Sequence, residues 1–234
     1  MKTIMMVIGM LLVLSDSARA GELAPGELYG HRTGWMGNAY TMPKGHYSIS
    51  ALSRSAVGLG QRVDVKAPIL GTVLGPKISS EVALIQHERV AVSIEPLLWF
   101  WTWGGSIQEV SMTGRASAAA GPGLLNAGLT YAQVSSLRQE VSTDLRLEVN
   151  YELVLSDHHR LIVAGRTNLA AQRSYSGGVY FAAGADHIGL SLGANVGYLD
   201  LSSAKSSLEV VGLGESIPEG QLLPLPHIQL WIRG

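Results

Sequence analysis

Two residues near the start of the chain have the types that nucleophilic chemistry requires. His46 and Ser48 are two positions apart, so on a strand their imidazole and hydroxyl would share one face. A lipid hydrolase embedded in a β-barrel would use such a pair. No third residue can be assigned to orient the histidine, so the pair stays an alternative and we assign no catalytic residue.

Histidine lies beside aspartate in two short segments, Asp157-His158-His159 and Asp186-His187. A carboxylate beside an imidazole can activate water, and several imidazoles on one rim, with His87, could bind zinc or copper. Their spacing is not that of a metal site, however, and Asp at a tight turn has a backbone reason. We therefore expect turns here, and predict no metal and no cofactor.

These groups lie at the ends of segments whose side chains alternate between apolar and polar. From Val141 to Leu153 every odd position is apolar except Thr143, and every even position is polar, with four ionised groups. Strict alternation is typical of a strand, whose successive side chains point to opposite faces. The run exceeds the ~9–11 residues that a tilted strand needs to cross a bilayer.

Similar segments recur along the chain, and short turns between them alternate with longer loops. Since an open sheet edge leaves backbone groups unpaired in lipid, a spanning sheet has to close on itself. We predict a closed antiparallel transmembrane β-barrel of about 10–12 strands. The strands are expected at 46–57, 62–67, 77–86, 90–100, 106–120, 124–134, 141–155, 160–171, 175–185, 188–201, 207–213 and 226–232.

The alternation also predicts the register of individual hairpins. A two-residue turn at Asp186-His187 places Phe181 opposite Leu192 and Tyr175 opposite Tyr198. A turn centred on residue 158 places Leu153 opposite Val163, Glu148 opposite Asn168, and Arg166 diagonal to both Glu148 and Glu152. A turn at 87–89 places Val82 opposite Ile94, Leu84 opposite Val92, and Glu81 directly opposite Glu95, a repulsion for which Arg62 is the expected counter-ion.

Two sets of residues are the candidate functional groups of such a barrel. The charged residues on the polar faces are expected in the lumen: Arg62, Asp64, Lys66, Glu81, Glu95, Arg146, Glu148, Glu152 and Arg166. The aromatic residues near strand ends are expected in a girdle at the membrane interface: Trp99, Trp101, Tyr151, Tyr175, Tyr198 and Trp231.

Composition narrows the class of protein. Residues 1–20 have the charged start, the apolar stretch and the Ala18-Arg19-Ala20 cleavage site of a signal peptide. Residues 21–45 are irregular and could form a plug, and residues 46–234 are expected to form the barrel. A net charge of -1 gives no support to nucleic-acid binding, and the absence of cysteine excludes disulfides. Charged residues make up only 15% of the chain, against about 25% in soluble domains.

The stretch Ala39-Tyr40-Thr41-Met42-Pro43-Lys44-Gly45, followed by an alternating strand, a tight turn and Arg62-Val63-Asp64-Val65, resembles the opening of uncharacterised outer-membrane β-barrel proteins of Gram-negative bacteria. The resemblance implies assembly in the outer membrane and provides no catalytic residues to carry over. It also differs at the end of the chain, where such barrels have a terminal aromatic residue and this chain has Trp231 three residues before its last.

Together these features favour an exported, non-enzymatic outer-membrane barrel that acts as a narrow pore or in a structural or surface-binding role. Its expected partners are outer-membrane lipid and the barrel-assembly machinery. Two alternatives remain: the lipid hydrolase using His46 and Ser48, and a soluble periplasmic β-protein that binds an apolar ligand. The last alternative would reverse the faces, with apolar side chains packed inside.

Overall fold

A computed structural model describes most of the chain after residue 37. The described ranges are 38–50, 54–68, 76–101, 107–136, 139–156, 159–170, 175–184, 188–198 and 222–233. The expected signal peptide, most of the expected N-terminal segment and the expected strand at 207–213 lie outside them. No helix among these ranges is long and apolar enough to cross a membrane.

The described residues form twelve strands joined in one closed barrel. Their bounds are β1 Tyr47–Ser50, β2 Arg54–Gly58, β3 Val63–Pro68, β4 Lys77–Gln86, β5 Val90–Trp101, β6 Ile107–Ala120, β7 Gly123–Ser136, β8 Gln139–Ser156, β9 His159–Asn168, β10 Tyr175–Gly184, β11 Ile188–Tyr198 and β12 Leu222–Arg233. Each strand pairs antiparallel with its sequence neighbour, and β12 closes the barrel against β1 through Ile49 opposite Ile232. The predicted fold class is confirmed.

The polarity of the two faces is that of a barrel in lipid. The outward face of the strands consists mainly of exposed apolar side chains such as Val163, Phe181 and Leu192. Among the strand residues whose side chains are described, every Asp, Glu, Lys and Arg lies on the inward face. A soluble β-sandwich has the reverse arrangement, because its apolar face is packed inside.

The two rims of the barrel differ. At the first rim, where β1 begins and β12 ends, the five connections between consecutive strands contain four residues or fewer. At the second rim, where β1 ends and β12 begins, one connection runs from Tyr198 to Leu222. Both ends of the barrel-forming chain therefore lie at the rim with the short turns.

The predicted single strand at 46–57 is wrong, because the chain reverses within it. Strands β1 and β2 pair with each other, with Tyr47 opposite Val57 and Ser48 opposite Ala56. In each pair the two residue numbers are both odd or both even, and paired residues share a face. Odd and even positions therefore keep the same faces before and after the reversal. The strand count of twelve therefore arises without the expected strand at 207–213.

The hairpin of β10 and β11 has the predicted register, with Phe181 opposite Leu192 and Tyr175 opposite Tyr198. The hairpin of β8 and β9 is displaced by two residues from the prediction. Ser156 pairs with His159 across a two-residue connection, which shifts the register by one, and a bulge between Val154 and Ser156 shifts it by one more. A displacement of two keeps every side chain on its face, so the apolar pattern is satisfied equally in both registers.

The hairpin of β4 and β5 combines a correct and an incorrect prediction. Val82 pairs with Ile94 as expected, which puts Glu81 opposite Glu95. A bulge between Ala83 and Ile85 then replaces the predicted pair of Leu84 and Val92 with Ile85 opposite Val92. A bulge of this kind adds one residue to one strand, which locally changes which of its positions face inward and which face outward.

Candidate functional site in the barrel interior

The interior of the barrel carries a balanced set of charges. Seven basic and seven acidic side chains of the described strands point inward, so their formal charges cancel. They are Arg54, Lys66, Lys77, Arg115, Arg146, Arg160 and Arg166, and Asp64, Glu81, Glu95, Glu109, Asp144, Glu148 and Glu152. They lie on β2 to β9, and the described inward side chains of β10 and β11 are neutral.

The most deeply buried charges surround Glu95. This carboxylate accepts hydrogen bonds from Arg54, from Lys66 at 3.0 Å and from Arg115. Lys66 also donates to Glu81, which accepts a further bond from Ser93. Cations on three other strands thus relieve the repulsion between the facing glutamates, and a buried charge needs such partners.

The counter-ion predicted for this pair, Arg62, does not take part. The turn between β2 and β3 includes residue 62, whose side chain is exposed at the first rim. The prediction that Arg62 is a lumen charge is therefore wrong, because β3 begins only at Val63. Arg54 and Arg115, which the sequence reasoning omitted, supply the charge instead.

A second polar network joins β7, β8 and β9 closer to the first rim. Asn126 Nδ2 donates to Asn150 Oδ1 at 2.7 Å and to Glu152 Oε1 at 3.0 Å. Arg160 Nη1 lies 3.9 Å from Glu152 Oε2. All four side chains are buried, so this part of the interior is filled by bonded polar groups.

The residues just before β1 lie against the inner wall at the first rim. Ala39 N donates to Ser117 Oγ at 2.7 Å, and Met42 N donates to Asp64 Oδ2 at 3.0 Å. Between them, Tyr40 Oη donates to the carbonyl oxygen of His87 at 3.0 Å. Residues 38–42 are buried, and the main-chain donors of residues 39–42 are satisfied by side chains of β3, β4 and β6 and by Asn38 of the segment itself.

The charges nearest the second rim are more accessible than those beside Glu95. Arg146 Nη2 lies 2.8 Å from Asp144 Oδ2, and Arg146 Nη1 lies 3.8 Å from Glu109 Oε1. On the neighbouring strand, Arg166 Nε lies 3.4 Å from Glu148 Oε1. The observed register puts Glu148 directly opposite Arg166 rather than diagonal to it.

The predicted aromatic girdle is only partly supported by the placement of its members. Trp99 faces inward, because it pairs with Glu109 and has Lys77 Nζ 5.4 Å from its ring centroid. Tyr175 is outward and exposed at the second rim. Tyr151 is on the outward face near the first rim, where its hydroxyl donates to the carbonyl of Ala120.

The other three girdle residues are known by backbone position alone. Trp101 ends β5, Tyr198 pairs with Tyr175 at the second rim, and Trp231 pairs with Gly189 and Ser50. The predicted girdle also omits four exposed aromatic residues of the outward face, although the alternation of apolar and polar positions on their strands places them there. They are Tyr47, Phe100, Tyr131 and Phe181.

The interior wall of β10 and β11 is lined by small residues, with Tyr180 across them. A Cβ atom added to Gly193 would lie 2.4 Å from the carbonyl oxygen of Val179 and 2.6 Å from Tyr180 Cδ1. A Cβ atom on Gly178 would lie 2.4 Å from the Tyr180 hydroxyl. Glycine at these positions therefore lets the tyrosine ring lie flat along the sheet.

The residues considered for catalysis or metal binding are not assembled into a site. His46 is exposed just before β1 and Ser48 lies in β1, and in the described part of the chain neither side chain has a hydrogen-bond partner. His158 and His187 lie outside the described residues. Among those described, no three His, Asp or Glu side chains are grouped so as to hold a metal ion.

Several inward charges were absent from the predicted set, namely Arg54, Lys77, Glu109, Arg115, Asp144 and Arg160. The alternation of inward and outward positions along each strand could have identified most of them. Glu109 and Arg115, for example, share a face with Ser111, Thr113 and Ser117.

The closed sheet, the uncharged apolar exterior and the ionic interior define a transmembrane β-barrel. No family model and no curated protein matches the chain. It is similar to a solved structure of the outer-membrane-expressed OmpT of Vibrio cholerae, at 10% identity and a TM-score of 0.43, with 77% of this chain covering 62% of that one.

Two further solved structures are similar at the same level. In-vitro folded OmpT of Vibrio cholerae has 9% identity and a TM-score of 0.42, with 90% of this chain covering 72% of that one. The KdgM porin has 8% identity and a TM-score of 0.42, with 80% of this chain covering 94% of that one.

Proposed function

We propose that this protein is a non-enzymatic barrel of the bacterial outer membrane that acts as a narrow pore. The observation that carries the proposal is that every charged strand residue whose side chain is described lies on the inward face. Ionised side chains are stable at that depth only where they contact water or one another, so a polar interior supports passage of a hydrated solute. The lipid of that membrane and the barrel-assembly machinery are the proposed partners.

The same geometry supports a low conductance. The interior at the first rim holds residues 38–42, and the networks around Glu95 and Glu152 occupy much of the wall beside them. We propose that residues 38–42 act as a plug that narrows the lumen at this rim. Solute would then pass when the segment moves away from β3, β4 and β6.

The pore is tested by single-channel recording of the refolded full chain in a planar bilayer. We expect small, discrete ion conductance steps. Membranes that stay silent, with protein shown to be inserted by protease protection and heat-modifiable migration, would overturn the pore proposal.

The plug is tested by a disulfide between Ala39→Cys and Ser117→Cys, because the two residues are joined by a 2.7 Å hydrogen bond and the chain has no other cysteine. Oxidation should lower the conductance and a reductant should restore it. The two single-cysteine variants are the matched controls and should not respond to either reagent. Equal conductance of the oxidised and reduced double variant would refute the plug.

A further inference from the structure

The charges at the second rim balance by number but differ in their contact with solvent. The side chains of Arg54, Arg146 and Arg166 are 23%, 20% and 25% exposed. The glutamates that pair with them are less accessible, since Glu95 is 2% exposed and Glu109 and Glu148 are each 10% exposed. In these three pairs, the cation is therefore the more accessible partner on the described inner wall of this rim.

Asp144 is the exception among the acids, because 32% of its side chain is exposed. Arg146 donates to it from both Nε and Nη2, and Asn168 donates to its other oxygen at 2.9 Å. Its lone pairs are therefore largely engaged. Asp144 is thus paired with Arg146, and its side chain is the more exposed of the two.

Lys77 adds a cation that has no carboxylate partner among the described residues. It lies on the inward face at the start of β4, partly exposed, with Nζ 5.4 Å from the centroid of the Trp99 ring. Trp99 lies between Lys77 and Glu109 in the sheet, and Glu109 is 3.8 Å from Arg146, so Lys77 lies near the arginines of this rim. An ammonium with open donor positions beside guanidinium groups is suited to binding anionic oxygens.

We propose that the inner face of the second rim is a binding site for a small anionic solute that carries carboxylate or phosphate groups. Lys77 and Arg146 donate to its oxygens, Arg54 and Arg166 add positive potential, and Trp99 holds the lysine side chain in place. The site rests on the proposed function, because it requires a lumen open to water at this rim. It names the class of solute that the pore would select.

The test is calorimetric titration of citrate into the detergent-solubilised full chain. Lys77→Gln should weaken citrate binding about tenfold, the amount expected for the loss of a hydrogen bond to a charged group. Lys77→Arg should retain most of the affinity. Arg62→Gln is the matched control, since it removes a positive charge that is exposed at the opposite rim.

Lys77 is in no ion pair in the described part of the chain, so its substitution is expected to leave folding intact, which heat-modifiable migration checks. If sorbitol, a neutral polyol, binds as well as citrate, or if Lys77→Gln and Arg62→Gln affect citrate equally, the site is wrong. In planar bilayers with a KCl gradient, the reversal potential of Lys77→Gln should shift in the direction of greater cation selectivity. The reversal potential of Arg62→Gln should stay unchanged. A silent barrel that still binds citrate through Lys77 would refute the pore and leave the site standing.

Discussion

Removal of the Glu95 carboxylate should destabilise the barrel more than removal of a lumen carboxylate whose partner contacts solvent. In Glu95→Gln, the cluster of Asp64, Glu81, Lys66, Arg54 and Arg115 is left with two acids and three bases. Breaking a buried ion pair costs about 3–5 kcal/mol, because the remaining charge is uncompensated. Lys66 and Arg115 both keep Glu81 within ion-pair distance, so we expect a loss near the lower end, about 3 kcal/mol.

The matched control is Glu148→Gln. Its partner Arg166 is 25% exposed, and pairs in contact with water contribute only about 0–1 kcal/mol. The free energy of unfolding is measured by urea titration of both variants in lipid vesicles, followed by tryptophan fluorescence. Equal losses for Glu95→Gln and Glu148→Gln would refute the assignment of Glu95 as the centre of the network.

A double variant tests the electrostatic cause directly. Adding Arg54→Gln to Glu95→Gln restores equal numbers of acids and bases in the cluster. We expect the double variant to regain about 1 kcal/mol over Glu95→Gln, a coupling typical of groups in one network. If the two losses simply add, loss of packing rather than charge imbalance is the cause of the destabilisation.

Two further predictions concern the barrel wall. Leu192→Arg, on the exposed outward face in the middle of β11, should lower the free energy of unfolding in lipid by about 2–4 kcal/mol. Leu169→Arg, just beyond β9, is its control and should lower it by about 0–1 kcal/mol. Equal losses for the two variants in vesicle unfolding would contradict the membrane-facing assignment. Gly193→Ala should cost about 1–3 kcal/mol, because its Cβ atom would overlap a backbone carbonyl. Gly165→Ala, where the Cβ atom meets nothing within 4 Å, is its control, and similar urea midpoints for the two alanine variants would count against the close packing.

The sequence was sufficient to predict which face of each long strand is polar. In β8, the alternation from Val141 to Leu153 assigns Arg146, Glu148 and Glu152 to one side, and the structure places all three inside. This succeeds because the two-residue period is a property of the extended backbone itself, independent of any partner strand.

The sequence did not determine where the chain reverses when odd and even positions keep the same faces after the turn. The stretch from Tyr47 to Val57 alternates through the hairpin of β1 and β2, so a single strand and a pair of strands have the same pattern. The register of β8 against β9 is ambiguous for the same reason, since a displacement of two residues exchanges one apolar pair for another. The length of the connection and the bulge beside it together decide between the registers.

The sequence by itself determined that this protein is built of amphipathic strands with charges on one face. Only the tertiary structure decided which charges meet. Glu95 on β5 binds cations from β2, β3 and β6, and Lys77 lies over Trp99 rather than beside an acid. The physical reason is that alternation is local to each strand, whereas ion pairing depends on the register and closure of the whole sheet, which no single segment specifies.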